Sequence, residues 1–354
     1  MNVSPGSPPH PFFRDETFRD DFTFRNSPES VRRAPFPFDR DDYRYSVNLE
    51  PHRDGRAGTA LERPFDVDEH YVAEARERAR VLDDDPLRCQ SLPHMGLAGW
   101  DTLELLMTSL AASYPAWFSL VRDGGHWHWI NRPLGLERRF RFGDATTLPC
   151  GPLEYVTRQA QGDFCVLDQR GDNLWLDAGM VTTQSGWSLD FDLGMDFFEW
   201  HAPVPLAHEL GVFERALKYL LAVRPGSPVR RLNWAMTVNP RLDKSLENEH
   251  ARGAESAGVT PENVADKLFL RIDLQSFWRL PRSNALLFPI RCYLLSMRDL
   301  STVPTWARRM HRVLRSLPPE LVLYKGLGDY REIAIDWLAR FDEGAPDSPG
   351  RVRG

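Results

Sequence analysis

The sequence predicts an α+β fold built around one antiparallel β-sheet. Short apolar segments typical of strands are gathered in the middle of the chain, and segments of helical periodicity lie toward its two ends. The strand-like segments follow one another closely, with turn residues such as Gly124-Gly125 between them, which favours hairpins over parallel crossover connections. The content of 42% hydrophobic and 27% charged residues is close to ordinary globular composition, which excludes a wholly disordered or fibrous chain.

The predicted elements can be placed in order along the chain. Asp66 and Glu69 form a capping-box pattern that predicts a helix continuing to about Leu82, and a second helix is predicted from Gly99 to about Ser113. Short strands are predicted over 117–122, 126–132, 164–168, 174–177 and 180–184. A long amphipathic helix over 205–221 precedes strands at 232–238, 268–274 and 285–295, and helices over 303–317 and 329–341 close the fold.

Composition divides the chain into one folded domain and two flexible ends. Residues 1–35 carry Pro, Ser, Asp and Arg without a sustained period, and residues 342–354 are rich in Gly, Pro and charge. We therefore expect a flexible N-terminal arm over 1–35, a single domain over 36–341 and a frayed tail over 342–354. Within the domain, the polar stretch 244–262 is predicted to be a long surface loop.

Charge and hydropathy exclude two classes of partner. The 44 Lys and Arg residues are outnumbered by 50 Asp and Glu residues, whereas a protein that binds nucleic acid normally has a basic excess. The mean hydropathy is −0.44, and no apolar run approaches the roughly 18 residues of a membrane-spanning helix. We therefore expect neither a nucleic acid nor a membrane as partner.

The cysteines and the first residues predict a cytoplasmic protein. Residues 1–11 lack the apolar core of a secretory signal. The four cysteines, Cys89, Cys150, Cys165 and Cys292, are scattered without a C-x-x-C pair, which is typical of reduced thiols. The phosphate-binding patterns G-x-x-x-x-G-K-[ST] and G-x-G-x-x-G do not occur, so the chain itself shows no site for nucleotide, flavin or iron–sulfur cofactors.

His201 is the strongest candidate for a functional side chain. It ends the apolar run 195–200 and is followed by Pro203 and Pro205, which remove backbone donors and are expected to hold the segment extended. A stiff apolar segment that presents one imidazole suits an axial iron ligand, which needs a fixed ring and a neutral nitrogen. The alternative is a buried histidine bonded to a backbone carbonyl, which is the more common role when spacing alone is considered.

Other histidines give weaker signals. His126 and His128 alternate on a predicted strand and share one face, which fits a solvated strand better than a metal site. His208 follows His201 by seven residues, and this is not a recognised metal-ligand spacing.

The predicted strand around residue 273 is unusually polar. Alternation places Arg271, Asp273 and Gln275 on one face. Charges at these positions must be paired or solvated, because an unpaired buried charge is costly. Either the face is an outer surface with a cross-strand ion pair, or it is a polar pocket wall in which the Arg binds a carboxylate and the Asp holds a cation.

Five short motifs occur in a characteristic order. They are Trp187-Ser188 with Gly194, the run His201-Ala202-Pro203-Val204-Pro205, Arg231-Leu232-Asn233-Trp234, Arg279-Leu280-Pro281-Arg282-Ser283, and the stretch from Phe288 to Tyr293. The segment 36–47 and the helix that carries Asp68 and Tyr71 complete the pattern, which spans residues 36–340. In this order and spacing the chain resembles the haem-dependent oxidative N-demethylase alpha-subunit-like family.

The resemblance implies a fold, a cofactor and a reaction. The fold is a PAS-like antiparallel sheet with flanking helices and a helical C-terminal region, and the cofactor is haem b. His201 is implied as the axial iron ligand, and Arg271, Arg282 and Arg291 are implied as partners of the haem propionates. The reaction is O₂-dependent demethylation of a small secondary amine, with electrons from NADPH delivered through FMN and a 2Fe–2S centre of a separate reductase.

Two departures from the family pattern concern the charge of the pocket. Relatives commonly show Arg-x-Glu-Arg-Gln where this chain has Arg271-Ile272-Asp273-Leu274-Gln275, and small or aliphatic residues where it has Glu199-Trp200. We therefore expect oxidation of a small amine or a related nitrogen compound, with Asp273 or Glu199 as the catalytic carboxylate that supplies polarity and a proton. The alternative function is a non-catalytic haem-binding sensor or interaction subunit.

Overall fold

The computed structural model describes residues 25–44, 46–52, 57–206, 210–251 and 255–342. In these residues, a seven-stranded and a three-stranded antiparallel sheet are flanked by helices, several of them near the C-terminus. The α+β prediction is therefore confirmed. The prediction of one sheet is wrong, because the strands between 118 and 141 pair only with one another. No helix in this part of the chain is long and apolar enough to cross a membrane.

The described elements have the following bounds. The strands are β1 (Glu50–Pro51), β2 (Cys89–Ser91), β3 (Phe118–Asp123), β4 (His126–Asn131), β5 (Leu136–Arg141), β6 (Asp163–Arg170), β7 (Asn173–Met180), β8 (Val229–Val238), β9 (Leu268–Arg279) and β10 (Leu286–Ser296). The α-helices are α1 (Pro28–Arg33), α2 (Tyr71–Asp84), α3 (Gly96–Ser113), α4 (Pro152–Thr157), α5 (Leu189–Asp192), α6 (Phe197–His201), α7 (Val212–Leu221), α8 (Val264–Lys267), α9 (Met297–Ser301), α10 (Pro304–Ser316), α11 (Pro319–Tyr324) and α12 (Arg331–Ala339). Short 3₁₀ helices lie at Pro86–Arg88, Pro93–Met95, Ala145–Thr147 and Leu246–Ala251.

The large sheet has the strand order β1-β8-β9-β10-β6-β7-β2, and its two faces are covered by different parts of the chain. The first face, which carries Leu270 and Leu287, packs against α2, α3 and α4, the small sheet and the C-terminal helices. The second face, which carries Phe277 and Phe288, packs against α5, α6 and α7. Because side chains alternate along a strand, Asp273 lies on the second face and Arg291 lies on the first face. 

The predicted start of the first long helix is wrong. α2 begins at Tyr71, and Asp66 does not cap it. The Asp66 carboxylate instead accepts hydrogen bonds from Arg33 (2.5 Å) and from the Tyr293 hydroxyl (3.1 Å). Glu69 likewise accepts from the Ser27 backbone N–H (2.7 Å). Both residues of the capping-box pattern therefore bond to distant parts of the chain and not to the start of α2.

Two further predictions around residues 180–221 need correction. The segment 180–184 is not a separate strand. β7 ends at Met180, and the backbone N–H groups of Thr182 and Thr183 donate to the Asp163 carboxylate (2.8 and 3.0 Å) instead of to a neighbouring strand. The helix predicted over 205–221 begins only at Val212, since Leu206 has a left-handed φ of 64° that ends any helical run. β5 lies where no strand was predicted, because its residues are mostly charged and exposed.

The predicted flexible ends are only partly described. Residues 25–35 of the predicted arm include α1, which buries Val31, and Ala34 beyond the helix is buried too. Residues 1–24 and 343–354 lie outside the described residues, as does His208. The division of the chain into an arm, a domain over 36–341 and a tail therefore stays a prediction.

Candidate functional site

His201 is the last residue of a short helix, α6, and not part of an extended segment. Asp196 caps the helix by accepting from the backbone N–H groups of Phe198 (2.8 Å) and Glu199 (2.9 Å), and the Glu199 side chain bonds back to the Asp196 N–H. The backbone N–H of Val204 donates to the His201 carbonyl (3.1 Å), so the chain turns after the helix. The expected extended segment is therefore wrong. The following prolines lie just beyond a helix end, where a missing N–H costs nothing.

The His201 ring is half-buried and held in a defined orientation. Its Nδ1 lies 2.7 Å from the Phe197 carbonyl oxygen. A carbonyl oxygen only accepts, so Nδ1 carries the proton in this contact, and in the neutral form of the ring Nε2 then has the lone pair. The ring also contacts Phe197 (4.5 Å between centroids), Phe213 (4.7 Å) and Trp200 (5.1 Å). This is the arrangement in which a metal-ligating histidine is oriented by a backbone carbonyl.

An aromatic wall continues from this ring onto the second face of the large sheet. Trp200 lies 6.1 Å from Phe288, whose ring stacks on Phe277 at 4.5 Å and an interplanar angle of 10°. Trp187 meets Trp200 edge-on at 5.3 Å. A separate open groove of about 530 Å³ is lined by Phe198 of α6 and by apolar and charged residues that include Asp172, Glu214, Leu217 and Lys218. His201 thus lies next to an aromatic surface whose Phe277 and Phe288 rings are themselves buried.

The far end of the same sheet face is polar. Arg271 is 1% exposed, and its Nε donates to Asp273 at 3.0 Å. Its two other nitrogens donate to the backbone carbonyls of Leu242 (2.7 Å) and Thr183. Burial by itself would lower the pKa of Arg271, but the adjacent Asp273 carboxylate outweighs it and raises the pKa. The predicted sharing of one face is confirmed by the register, and the pair is buried rather than on an outer surface.

Gln184 is a buried residue that sequence reasoning missed. It is 2% exposed, and neither its Nε2 nor its Oε1 has a hydrogen-bond partner among the described residues. It lies directly after Thr183, whose carbonyl accepts from Arg271, and three residues before Trp187 of the aromatic wall. No motif marks it, because the lack of a partner is a property of the folded chain only.

The three predicted propionate-binding arginines do not converge. Arg271 faces the second side of the sheet. Arg291 lies on the first side, where it pairs with Asp68 and with Glu74 (3.0 Å). Arg282 lies at the β9–β10 turn, 39% exposed in its side chain, with Nε 2.6 Å from an Asp101 oxygen. Their roles toward propionates stay predictions.

The two predicted catalytic carboxylates lie in different settings. Asp273 is buried and paired with Arg271. Glu199 is exposed, and its carboxylate accepts from the Asp196 backbone N–H at 3.0 Å as part of the helix cap. The cap could have been found from the sequence, since Asp-x-x-Glu is a capping-box pattern. Neither position tests a catalytic role.

A second group of buried charges surrounds Arg291. Asp66, Asp68, Glu74 and Arg291 line a small cavity of about 20 Å³, enough for one water molecule. Burial raises the pKa of Glu74 to about 7 and that of Asp66 to about 6. For Asp68, burial acts in the same direction, but Arg291 outweighs it and lowers the pKa. The cluster fastens α2 to the sheet.

Two surface groups contain the remaining histidines of interest. His94 Nε2 lies 2.8 Å from Asp177 and 3.8 Å from Asp168. Among the described residues, these three side chains have ligand atoms close enough together to hold a metal ion. Arg170 already pairs with both carboxylates, at 3.0 and 3.6 Å. His128, on the outer face of β4, lies 2.7 Å from Glu137.

Ligand sites in proteins are lined mainly by apolar and aromatic side chains with a few polar groups, and the side chains around His201 have this composition. The sequence profile of a known family matches residues 56–335, roughly four fifths of the chain. The family is described as haem-dependent oxidative N-demethylase, alpha subunit-like. The chain belongs to this family, and the expected resemblance is confirmed.

Proposed function

We propose that this chain is the haem-binding subunit of an oxidative N-demethylase. It acts on a small amine or a related nitrogen compound with O₂, and takes electrons from a separate reductase that holds FMN, a 2Fe–2S centre and the NADPH site. Family membership supports the cofactor and the reaction class. The iron-ligand assignment to His201 rests on the family motif; the 2.7 Å contact from its Nδ1 to the Phe197 carbonyl agrees with it, because such a contact often orients the ring of a metal-ligating histidine.

The residues on the second sheet face fit the two parts of haem b. The aromatic wall of Trp200, Phe277 and Phe288 suits the apolar macrocycle. The polar end begins at Asp273, four residues or about 13 Å along β9 from Phe277. Arg271 lies two residues further, and Gln184 directly follows Thr183, whose carbonyl accepts from Arg271. The buried Gln184 amide without a protein partner is what a missing polar ligand group would leave behind.

We assign the arginines and carboxylates to roles around the haem. Arg271 is the propionate partner on the second face, and Arg282 and Arg291 are further candidates at the turn and on the opposite face. Bound haem would supply O₂ activation, and with two electrons from the reductase and two protons the net result would be demethylated amine, aldehyde and water. Asp273 pairs with Arg271 at the polar end, and Glu199, which is exposed on α6, would be the carboxylate that exchanges a proton with solvent.

Absorption spectroscopy tests the ligand assignment. The chain is expressed with a haem supply, and the Soret band is recorded with and without dithionite and CO. His201→Ala should lose or shift the band, whereas His126→Ala, at an exposed strand position, should keep it. His201→Gly with added imidazole should recover the band if the loss is one of ligation and not of folding. An unshifted band of full intensity in both His201 variants contradicts the assignment.

Turnover separates the enzyme from the alternative. Wild-type protein with haem, an electron donor and a small methylated amine should release aldehyde. A protein that binds haem without turnover over a panel of amines would be a sensor or an interaction subunit. Arg282→Gln is the propionate variant at the most exposed of the three arginines, and because it also removes a counter-charge of buried Asp101, its haem content is compared per folded molecule.

A further inference from the structure

Two glutamines with the same burial differ completely in their hydrogen bonds. Gln159 and Gln184 are each 2% exposed. The Gln159 Oε1 accepts from Trp129 (2.8 Å) and Asn131 (3.2 Å), and its Nε2 donates to the Tyr155 carbonyl (2.9 Å). Within the described part of the chain, the Gln184 amide has no such partner at either atom.

A buried amide without partners lowers the stability of the protein that carries it. Water would satisfy both atoms in the unfolded chain, and folding removes that water without a replacement. Most buried polar side chains in folded proteins do have a partner. A bound group that supplied the missing contact would remove this cost.

The position of Gln184 indicates which group this is. Along the chain, Gln184 lies between Thr183, whose carbonyl accepts from Arg271, and Trp187 of the aromatic wall. The Lys244 backbone N–H donates to the Gln184 backbone carbonyl (2.8 Å). This contact fixes the backbone of Gln184 and does not involve its side-chain amide. Gln184 thus lies between the polar end of the face and the wall beside His201.

We propose that Gln184 is a positioning residue for the cofactor: its Nε2 donates a hydrogen bond to a carboxylate oxygen of bound haem. This inference rests on the proposed function and adds a residue to it. The Gln184 amide must be the donor in this contact, because the oxygens of an ionised carboxylate accept hydrogen bonds and cannot donate.

Apo-protein stability and haem affinity test the inference together. Gln184→Leu keeps the volume and removes the unpartnered amide, so the thermal midpoint of the haem-free chain should rise by about 2 °C. Its haem affinity, from titration followed at the Soret band, should fall by about tenfold. Gln184→Glu should weaken haem binding further, because the new carboxylate repels the propionate.

Gln159→Leu is the matched control. It removes a partnered amide of the same burial, so the haem-free midpoint should fall while haem affinity per folded molecule stays unchanged. The inference is overturned if Gln184→Leu lowers the haem-free midpoint as Gln159→Leu does, or if its haem affinity equals that of wild type. Failure of the wild-type chain to bind haem would instead remove the proposed function itself, and this inference with it.

Discussion

The carboxylate of Asp101 in α3 fixes Arg282 at the β9–β10 turn. One Asp101 oxygen accepts from Arg282 Nε at 2.6 Å, and the other accepts from the Arg282 and Ser283 backbone N–H groups at 3.1 and 2.8 Å. Arg279 closes the other side of the turn by donating to the Val223 (3.1 Å) and Leu220 (3.0 Å) carbonyls. The motif Arg279-Leu280-Pro281-Arg282-Ser283 therefore holds the hairpin of the two central strands in place.

We predict that Asp101→Ala destabilises the protein. The Asp101 side chain is fully buried, so its removal leaves several donors without an acceptor and should lower the free energy of unfolding by about 2–3 kcal/mol. Asp83→Ala, at an exposed position of α2, should change it by less than about 0.5 kcal/mol. Urea unfolding measures both values, and equal effects would show that the turn does not depend on Asp101.

We predict that the cap of α6 controls haem binding. Asp196→Ala removes two hydrogen bonds to the first turn of the helix that carries His201, at a cost of about 1 kcal/mol. The imidazole is then less firmly oriented, and haem affinity should fall several-fold.

Ser296→Ala is the control for this prediction. Ser296 is the N-cap of α9, a helix of five residues with its own capping box, and it lies at the end of β10 rather than beside His201. The loss of stability should be similar, and haem affinity should not change. Equal haem affinities in the two variants would mean that the α6 cap has no part in orienting the ligand.

We predict that stability falls as pH rises from about 5 to 8. The pKa of Glu74 is raised from 4.5 to about 7 in the folded state, mainly by burial. The folded protein therefore binds more protons than the unfolded chain in this window. The stabilisation by neutral Glu74 is complete below the unfolded pKa and is lost as pH passes the folded pKa, on the order of 2 kcal/mol.

Glu74→Gln should flatten this part of the pH dependence, and Glu320→Gln, at an exposed position, should leave it as in wild type. The measurement is denaturant unfolding of all three proteins across the pH range. The same slope in wild type and Glu74→Gln would contradict a raised pKa at this carboxyl.

We predict opposite stability outcomes for the two candidate catalytic carboxylates. Asp273→Asn removes the counter-charge of buried Arg271 and should cost about 3–5 kcal/mol. Glu199→Gln should be neutral, because glutamine also completes a capping box.

Glu199→Gln consequently tests catalysis without disturbing the fold. If Glu199 is the predicted proton donor, amine turnover should fall by about a hundredfold with haem content unchanged. Turnover at the wild-type rate would rule out that role. Differential scanning calorimetry supplies the stability comparison for both variants.

Some of the fold could be read directly from local pattern. Helix α3 and the strands β4 and β10 were predicted to within three residues, and the start of β9 was predicted at its observed residue, because one periodicity dominates each segment. β9 continues five residues beyond its predicted end. Boundaries failed where a side chain had a distant partner. Asp66 serves Arg33 instead of capping α2, and Asp163 draws the backbone after β7 out of the sheet.

The sequence by itself determined the α+β class, the family and the common face of Arg271 and Asp273. Only the tertiary structure decided which side chains meet across the chain. Arg271, Arg282 and Arg291 look alike in sequence, yet each pairs with a different carboxylate. The physical reason is that periodicity fixes the direction of a side chain from its own backbone, whereas its partner depends on which other element packs over it. The absence of a protein partner at the Gln184 amide, within the described residues, is likewise decided by that packing.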